Sequence, residues 1–374
     1  MKIVFICFYE AYPPVSGAAS VSWNMAKHVD GKTTLIQMGI QDGDLCIQND
    51  INIITLQGFV DNRIKKILRI PGWIFKIIGH LNRIEPDIVV LEGASWVLYH
   101  WLLMKVIHLL AKPAELIYHS HNVEYNLRKE KHNRFVTEVT RWAEGRILHE
   151  VNTATAVSHV DRRQFEYLYG IKPQILPNGV DIDTFDQVSP TQIQTEKKKY
   201  ALTNQTVLFV GSYWYKPNQN GIDFLIKKVM PNVVERQPDA RLAIVGGEVP
   251  WKKPWLITPG CIPFQQLPVF VKACTIGVAP IFSGSGTRLK ILEYMAAGKP
   301  VISTAKGVEG INVKDSVDVL VANEQVEFVE AICKLLNDRI LLESIGEKGR
   351  KIIGKYYSWQ KILKDFPRIR PTLH

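Results

Sequence analysis

The chain has 374 residues with ordinary hydrophobic (46%) and charged (22%) fractions, which is too long for one typical core and predicts two domains. Its formal net charge of +10 favours an anionic partner, such as nucleic acid, phospholipid or a phosphorylated substrate, without choosing among them. Five scattered cysteines lack CxxC spacing, as reduced thiols do, and favour a cytoplasmic location.

The first half alternates short β-rich runs with helical patterns. The amino terminus, MKIVFICFYEAY, is predicted to be a buried strand, because its apolar run is shorter than that of a signal peptide. The other predicted strands are TTLIQMG, INIITLQ, DIVVLE, ELIYHSH and TATAVS, and the predicted helices are Ser20–His28, Ile64–Arg83, Ser95–Ala111 and Glu124–Glu150. This alternation predicts a parallel sheet with helices on both faces. Polar interruptions make Trp96–Ala111 a core helix and not a membrane span.

A second alternation follows a polar stretch. QILPNGVDIDTF and the Gln, Thr and Lys residues after it are interpreted as a linker, and strand patterns then resume at TVLFVGS, RLAIVGG, IGVAPIF, PVIST and DVLVA. We therefore expect two Rossmann-like domains, at 1–170 and 206–355, joined by a linker at 171–205. SWQKILKDF predicts a C-terminal helix, within 356–374, that could cross back to the first domain.

The stretch SGSGTRLKILEYMAAGKPVIST, residues 283–304, predicts an anion-binding site. Its glycines follow a predicted strand and allow close backbone approach. A helix is expected to begin near Thr287, whose hydroxyl could cap it, and a helix N-terminus presents N–H groups and partial positive charge to a phosphate. Arg288 and Lys290 add full charges, while Glu293 could accept hydrogen bonds from the hydroxyls of a ribose. Together they predict a nucleotide-diphosphate site.

The position of this stretch favours the same interpretation. A glycine and a proline end the helix and PVIST returns as a strand, which places the loop at the carboxyl edge of a sheet, where doubly wound folds bind ligands. The stretch has neither the spacing of a Walker loop nor the full dinucleotide fingerprint. The alternative is a surface helix with a solvated Lys290–Glu293 pair and glycines that serve only the turn.

This stretch resembles the nucleotide-sugar site of GT-B glycosyltransferases, specifically those similar to glycosyltransferase family 4. YPPVSGAAS, HSHNVEYN, ILPNGVDIDTF and VLFVGS agree with that family in order and spacing, so the resemblance covers nearly the whole chain. It implies the α/β GT-B fold, in which two Rossmann-like doubly wound domains face each other across a cleft. It also implies a sugar transferase that uses a UDP- or GDP-sugar in cell-envelope or exopolysaccharide synthesis, with a glycan or lipid-linked acceptor.

The resemblance implies donor contacts mainly in the second domain. Glu293 matches the second glutamate of an E-x7-E pattern, which binds the ribose, whereas Ser285 replaces the first glutamate and leaves the sugar contact open. The arginine that often follows the opening strand of this domain is a serine here, so Arg288 is expected to neutralise most of the diphosphate charge, assisted by a lysine. The predicted donor-binding residues are Gly17, Gly211, Lys216, Ser285, Gly286, Thr287, Arg288, Lys290 and Glu293.

Acceptor contacts are implied in the first domain. In similar enzymes the histidine at the position of His121 touches the transferred sugar or the acceptor, and Glu124 is a secondary candidate. The loop after the first strand matches a family site close to the donor phosphates and the acceptor, with Ala18 in place of a glycine. The predicted acceptor-binding residues are Pro14, Gly17, Ala18, His121 and Asn122.

The resemblance also implies a mechanism that retains the anomeric configuration. The departing diphosphate would help take the acceptor's proton, and the predicted catalytic residues are His121, Arg288 and Glu293. No cofactor or metal is expected. The DxD at Asp181–Asp183 lies in the linker as a turn, and the pair His119 and His121, which could also be an ordinary strand end, shows no third ligand in the sequence.

The stretch Arg63–Arg83 combines six basic residues with Trp73, Phe75 and isoleucines, and has no acidic residue. Such a segment suits adsorption to an anionic membrane surface, which would fit a lipid-linked acceptor and a peripheral position on the inner face of the cell membrane. A sheet-covering helix with a solvated basic face is the alternative.

Two other classes compete with a sugar transferase. A nucleotide-sugar epimerase would use the same scaffold without an acceptor. A basic nucleic-acid-binding protein would fit the charge, but the sequence contains no helix-turn-helix, zinc or RNP pattern, so no nucleic-acid partner is expected.

Overall fold

The computed structural model describes residues 1–39, 43–57, 63–93, 96–112, 114–284, 286–364 and 366. The chain folds into two compact units. The first contains Met1–Asn178 and the described residues after Lys361, and the second contains Gly179–Lys361.

The first unit is built on one sheet. Its strands are β1 (Lys2–Cys7), β2 (Lys32–Gly39), β3 (Gly43–Gln48), β4 (Ile51–Gln57), β5 (Ile88–Gly93), β6 (Glu115–Ser120), β7 (Thr153–Ala156) and β8 (Gln174–Ile175). Their order is β3-β4-β2-β1-β5-β6-β7-β8, and β3 alone among these strands runs antiparallel to its neighbour. The predicted parallel sheet is confirmed, with an antiparallel edge strand that was not predicted.

Helices of the first unit pack on this sheet or on one another. They are α1 (Gly17–His28), α2 (Arg63–Ile84), α3 (Val97–Leu110), α4 (Glu124–Lys131), α5 (Arg134–Glu150) and α6 (His159–Tyr169). The prediction of a single helix over Glu124–Glu150 is wrong. The helix is interrupted at His132, and the side chain of Asn133 caps the start of α5. The core position predicted for α3 is confirmed by buried Leu103, Met104 and Ile107. Among the described helices, none has the length and apolarity to span a membrane.

The second unit repeats the arrangement. Its strands are β9 (Thr206–Val210), β10 (Arg241–Val245), β11 (Leu256–Gly260), β12 (Ile276–Ala279), β13 (Val301–Ser303) and β14 (Leu320–Val321), in the parallel order β11-β10-β9-β12-β13-β14. Alternate residues pack on opposite faces: Val207 and Phe209 belong to one core cluster and Leu208 to the other. Both faces are therefore covered.

This part of the chain also contains helices and helical turns. They are α7 (Ile182–Asp186), α8 (Pro190–Tyr200), α9 (Lys216–Phe224), α10 (Met230–Arg236), α11 (Leu267–Ala273), α12 (Leu289–Ala296), α13 (Gln325–Asn337), α14 (Arg339–Ile352) and α15 (Trp359–Ile362), with π-helical turns at Leu225–Val229 and Ile353–Tyr357 and a 3-10 turn at Phe264–Gln266. The predicted C-terminal helix is limited to the short α15, and Trp359, Leu363 and Phe366 are buried.

The segment 171–205, interpreted as a linker, is folded in the structure. It contains β8, α7 and α8. Ser189 and Gln192 form a capping box at the start of α8, which packs against α11. The DxD aspartates fall at α7: Asp181 precedes the helix, and Asp183 accepts a hydrogen bond from Gln360.

In each sheet, the chain places strands on one side of its first strand and then on the other side. In the first unit the chain adds β2 on one side of β1 and β5 on the other, and in the second it adds β10 and β12 on the two sides of β9. The loops after β1 and β9 therefore leave from the switch points, where doubly wound folds bind ligands.

Candidate functional site

The loop between β12 and α12 has the backbone that its glycines predicted. Gly284 and Gly286 have φ values of +97° and +78°, which other residues rarely adopt. The prediction that Thr287 caps the helix is wrong, since α12 begins at Leu289 after Arg288, and no side chain caps it. In the first turn the Ile291 N–H donates to the Arg288 carbonyl oxygen at 2.9 Å, so an anion would meet the N–H groups of Leu289 and Lys290.

Lys290 reaches from α12 to the end of β9. Its Nζ lies 2.9 Å from Asn218 Oδ1 and 3.9 Å from the centroid of the Phe209 ring. A Cβ atom on Gly211 would lie 2.9 Å from this Nζ, so only glycine fits there without displacing it. Burial, together with the charge of Arg288, lowers the pKa of Lys290 to about 7.

Glu293 lies one turn further along α12 and is half-buried. Among the residues that the structure describes, none donates a hydrogen bond to its carboxylate. Burial raises the pKa of Glu293 to about 7, although the charge of Lys290 opposes the rise. An ionised carboxylate offers lone pairs for two hydroxyl donors, so this position suits a diol such as a ribose.

Arg288 curls back over the glycine loop. Its Nη1 donates to the Gly286 carbonyl oxygen at 2.7 Å, which holds the guanidinium beside the start of α12. Lys216 is different: it is exposed at the first turn of α9 and its Nζ lies 2.9 Å from Gln219 Oε1. Of the two predicted lysines, Lys290 is therefore the one beside Gly211. Ser285 lies outside the described residues.

In the first unit, Gln37 holds the loop after β1. Its Oε1 accepts from the backbone N–H groups of Ala11 and Tyr12 at 2.9 and 2.7 Å, and its Nε2 donates to the Tyr12 carbonyl oxygen at 2.9 Å. Beyond this clamp the structure places the predicted loop residues: Pro14 is buried, Gly17 is the exposed first residue of α1, and Ala18 is half-buried in its first turn. Gln37 was not predicted, since its only signal in the sequence is a polar residue inside an apolar strand.

His121 lies in a buried polar cluster at the carboxyl edge of the first sheet. Its Nε2 is 2.7 Å from Glu92 Oε2, and His119 Nδ1 is 3.2 Å from the same oxygen. The expectation that the two histidines have no third ligand-type group is wrong, because Glu92 lies with them and the three ligand atoms are within 4.8 Å of one another. Metal independence stays a prediction.

The residues after His121 are also held in place. The carbonyl oxygen of Asn122 accepts from Ser120 Oγ at 2.6 Å. Glu144 accepts from the backbone N–H groups of Glu124 and Tyr125 at 2.8 and 3.2 Å and so caps α4. The carboxylate of Glu124 lies 3.2 Å from Arg128 Nη2, which makes it a partner in an ion pair.

Two doubly wound α/β units in one chain are the architecture of the GT-B class of fold. Solved structures agree with this over almost the whole chain. Sucrose-phosphate synthase from Thermosynechococcus elongatus is similar with a TM-score of 0.79, 15% identity and coverage of 99% of this chain and 98% of that one. Anabaena HepE in complex with UDP-glucose gives a TM-score of 0.75, 16% identity and 98% coverage of both chains.

Sequence comparison identifies the family. A family model described as Glycosyltransferase Family 4 matches residues 15–184, and one described as Glycosyl transferases group 1 matches residues 204–338. The chain therefore belongs to the glycosyltransferases of the family 4 and group 1 type, and the resemblance seen in the sequence is confirmed.

Several curated relatives are mannosyltransferases. The chain is 28% identical over 244 residues to the GDP-mannose-dependent monoacylated alpha-(1-6)-phosphatidylinositol monomannoside mannosyltransferase of Corynebacterium glutamicum, a match that covers 59% of this chain and 64% of that one. It is 24% identical over 232 residues to the phosphatidyl-myo-inositol mannosyltransferase of Mycobacterium tuberculosis, covering 58% and 59%. The chain thus spans less than two thirds of the length of these relatives.

Proposed function

We propose that the chain is a retaining, metal-independent glycosyltransferase that moves a hexose from a UDP- or GDP-sugar to a glycan or lipid-linked acceptor in envelope or exopolysaccharide synthesis. The observation that carries the proposal is the half-buried Glu293 carboxylate, which has no donor among the described residues and lies one turn from Lys290. A hydroxyl-binding acceptor beside a phosphate-binding cation matches the ribose and diphosphate of a nucleotide sugar.

The geometry supports separate roles for the residues of the two units. The diphosphate would lie at the uncapped N-terminus of α12, with Arg288 and Lys290 against its oxygens. As the acceptor hydroxyl oxygen forms a bond to the anomeric carbon, the bond to the diphosphate breaks and the hydroxyl proton passes to the leaving diphosphate. These cationic groups stabilise the charge that develops on that leaving group. His121 would contact the transferred sugar or the acceptor.

Relatives support both candidate donors. HepE was solved with UDP-glucose, and the Corynebacterium glutamicum relative is named as GDP-mannose-dependent. The names of the mannosyltransferase relatives mention phosphatidylinositol-type acceptors. This favours a lipid-linked acceptor for this chain.

The test is a transfer assay with UDP- and GDP-hexoses and a panel of phosphatidylinositol and glycan acceptors. We expect a product whose anomeric configuration, read by NMR, equals that of the donor, and activity that survives a chelator. Acceptor-independent formation of free nucleotide, or an epimerised sugar, would replace the transferase by a hydrolase or epimerase. Inversion of configuration would contradict the mechanism.

We also propose that the basic face of α2 contacts an anionic membrane. Trp73, Ile74 and Ile77 pack in the core of the first unit, so the helix covers the sheet. Exposed Arg69, Lys76 and Arg83, together with Phe75, remain on its outer side, while the side chains of Arg63, Lys65 and Lys66 lie outside the described residues. Adsorption would therefore be mainly electrostatic.

Sedimentation with vesicles that contain anionic lipid tests the surface. Replacing Arg69, Lys76 and Arg83 by glutamine is expected to weaken binding by about a hundredfold, at about 1 kcal/mol for each charge. The matched control replaces three exposed lysines of the second unit, Lys228, Lys252 and Lys253. Equal loss in both triple variants would mean that only net charge matters.

A further inference from the structure

The buried cluster around Glu92 belongs to the first unit. Glu92 is at the end of β5, and His119 occupies the register position beside it on β6. Glu92 and His119 are 0% exposed, and His121 is 5% exposed. A buried carboxylate is costly unless it is hydrogen-bonded, so its partners indicate what it does.

Three groups converge on one oxygen of this carboxylate. Oε2 lies 2.7 Å from His121 Nε2, 3.2 Å from His119 Nδ1 and 2.7 Å from Ser22 Oγ. The hydroxyl of Tyr9 lies 2.6 Å from Ser22 Oγ and extends this series of hydrogen bonds. Burial would raise the pKa of Glu92, but its interactions with the two histidines outweigh burial and lower that pKa. Ser22 Oγ donates to Oε2, and a carboxylate in its ordinary ionised form acts only as an acceptor.

An ionised acceptor fixes the tautomer of the ring that faces it. Since the carboxylate has no hydrogen to give, Nε2 of His121 must carry the hydrogen in this hydrogen bond. Burial lowers the pKa of His121, although the charge of Glu92 opposes the change, so the ring is neutral near pH 7. Its Nδ1 then carries the lone pair.

We propose that Glu92 is a positioning residue that fixes the ring orientation and the Nε2–H tautomer of His121 for sugar transfer. The inference rests on the proposed function, because His121 is the residue expected to contact the transferred sugar or the acceptor. A ring held in one orientation does not have to be ordered in each turnover. Removal of Glu92 should therefore affect kcat more than the KM for the nucleotide sugar, whose nucleotide is proposed to bind the second unit.

A divalent cation is the competing explanation, because one carboxylate and two histidines form a ligand set. The hydrogen bonds to Oε2 favour positioning, because a cation held by Oε2 and the two ring nitrogens that face it would have to displace both ring hydrogens. Glu92 Oε1 and His119 Nε2, in contrast, are buried without a hydrogen-bond partner among the described residues. Metal content is therefore one of the measurements.

The first experiment needs no activity. Long-range 1H–15N correlation spectra of the whole chain, labelled with 15N-histidine, report the tautomer of each ring between about pH 5.5 and 8.5. His121, assigned with the His121→Asn variant, is expected as the Nε2–H tautomer in the wild type and as a tautomer mixture in Glu92→Gln. A wild-type ring that is Nδ1-protonated or charged near pH 7 would overturn the proposal.

The second experiment measures transfer. Glu92→Gln is expected to lower kcat about 10- to 100-fold, as losses of orienting partners do, with the nucleotide-sugar KM nearly unchanged. In a His121→Ala background the same change should add little, since both act through one ring. Glu196→Gln, which removes a buried carboxylate in the second unit, is the control and should keep the parent kcat. Additive effects of the Glu92 and His121 changes would contradict positioning.

Elemental analysis of the purified chain tests the competing explanation, which is a bound divalent cation. We expect no stoichiometric metal. One equivalent of metal that is lost in Glu92→Gln would overturn the positioning role and make Glu92 a ligand. If the wild type transfers no sugar from any donor, the proposed function fails, while the tautomer spectra still decide the role of Glu92.

Discussion

The two units differ in how the charged side chains near their switch points are stabilised. In the first, the Glu92 carboxylate is fully buried and receives hydrogen bonds from two histidines and a serine. In the second, Lys290 and Glu293 are half-buried, and burial moves the pKa of each to about 7. Hydrogen bonds from three neighbours hold one oxygen of the Glu92 carboxylate in place. Burial disfavours the charged forms of Lys290 and Glu293, which a bound anion and bound hydroxyl groups would stabilise.

Among the variants that test this difference, Arg288→Ala is expected to have the largest effect on activity. Removing the guanidinium beside the start of α12 should lower kcat by about 100- to 1000-fold, as removal of groups that stabilise developing charge does. Steady-state transfer rates measure the loss. Arg339→Ala is the control, because Arg339 is an exposed arginine of the same unit. A near-normal rate in Arg288→Ala would remove this residue from the site.

Glu293→Ala should weaken nucleotide binding about 10- to 100-fold, since hydrogen bonds to charged groups contribute about 1.5–3 kcal/mol each. Calorimetric titration with the nucleotide and its 2′- and 3′-deoxy forms measures this. The deoxy forms should bind the wild type as weakly as the parent nucleotide binds the variant. Equal affinity of the wild type for all three forms would show that Glu293 does not contact the ribose.

The pH dependence of nucleotide affinity should be bell-shaped with its maximum near pH 7. The empty site has neutral Lys290 above pH 7 and protonated Glu293 below it. A phosphate favours the charged lysine, so affinity falls as pH rises above 7, by up to about tenfold per pH unit. Hydroxyl donors favour the charged glutamate, so affinity falls as pH drops below 7.

Single variants separate the two limbs of this profile. Lys290→Met should remove the alkaline limb, and Glu293→Gln should remove the acid limb. Titrations in buffers with different ionisation enthalpies count the protons taken up or released. A flat profile in the wild type would contradict the link between these two groups and the ligand.

The smallest expected effect concerns the segment 171–205. Ser189→Ala removes the capping box of α8 and should lower the free energy of unfolding by about 1 kcal/mol. Denaturant unfolding measures it, with Thr191→Ala in the first turn of the same helix as the control. Equal stability of the two variants would indicate that the cap contributes little to the second unit.

The sequence was sufficient for the architecture and for the charged loop of the second unit. Apolar runs alternate with helices in both halves, and the glycines before Arg288 mark a turn with positive φ. Spacing along one helix then brings Lys290 and Glu293 to one region. These features are local, so they can be inferred from neighbouring residues.

The remaining features depend on distant pairs. Glu92 and His119 are 27 residues apart and meet only through strand register, and Gln37 clamps a loop 25 residues away. Asn218, the partner of Lys290, is 72 residues from it. The helix α8 is different, because its Ser189 and Gln192 capping box was present in the sequence, but the polar composition of the helix resembled a linker.

The central claim is that the second unit binds a nucleotide diphosphate through the residues at α12. A thermal-shift screen of the whole chain against UDP, GDP, ADP, CMP and their sugar conjugates tests it most directly, because a ligand that binds the native state raises the melting temperature. We expect selective stabilisation by uridine or guanosine diphosphates and their sugars, and its loss in Arg288→Ala. The same melting temperature with every nucleotide, or a shift that Arg288→Ala retains, would contradict the claim.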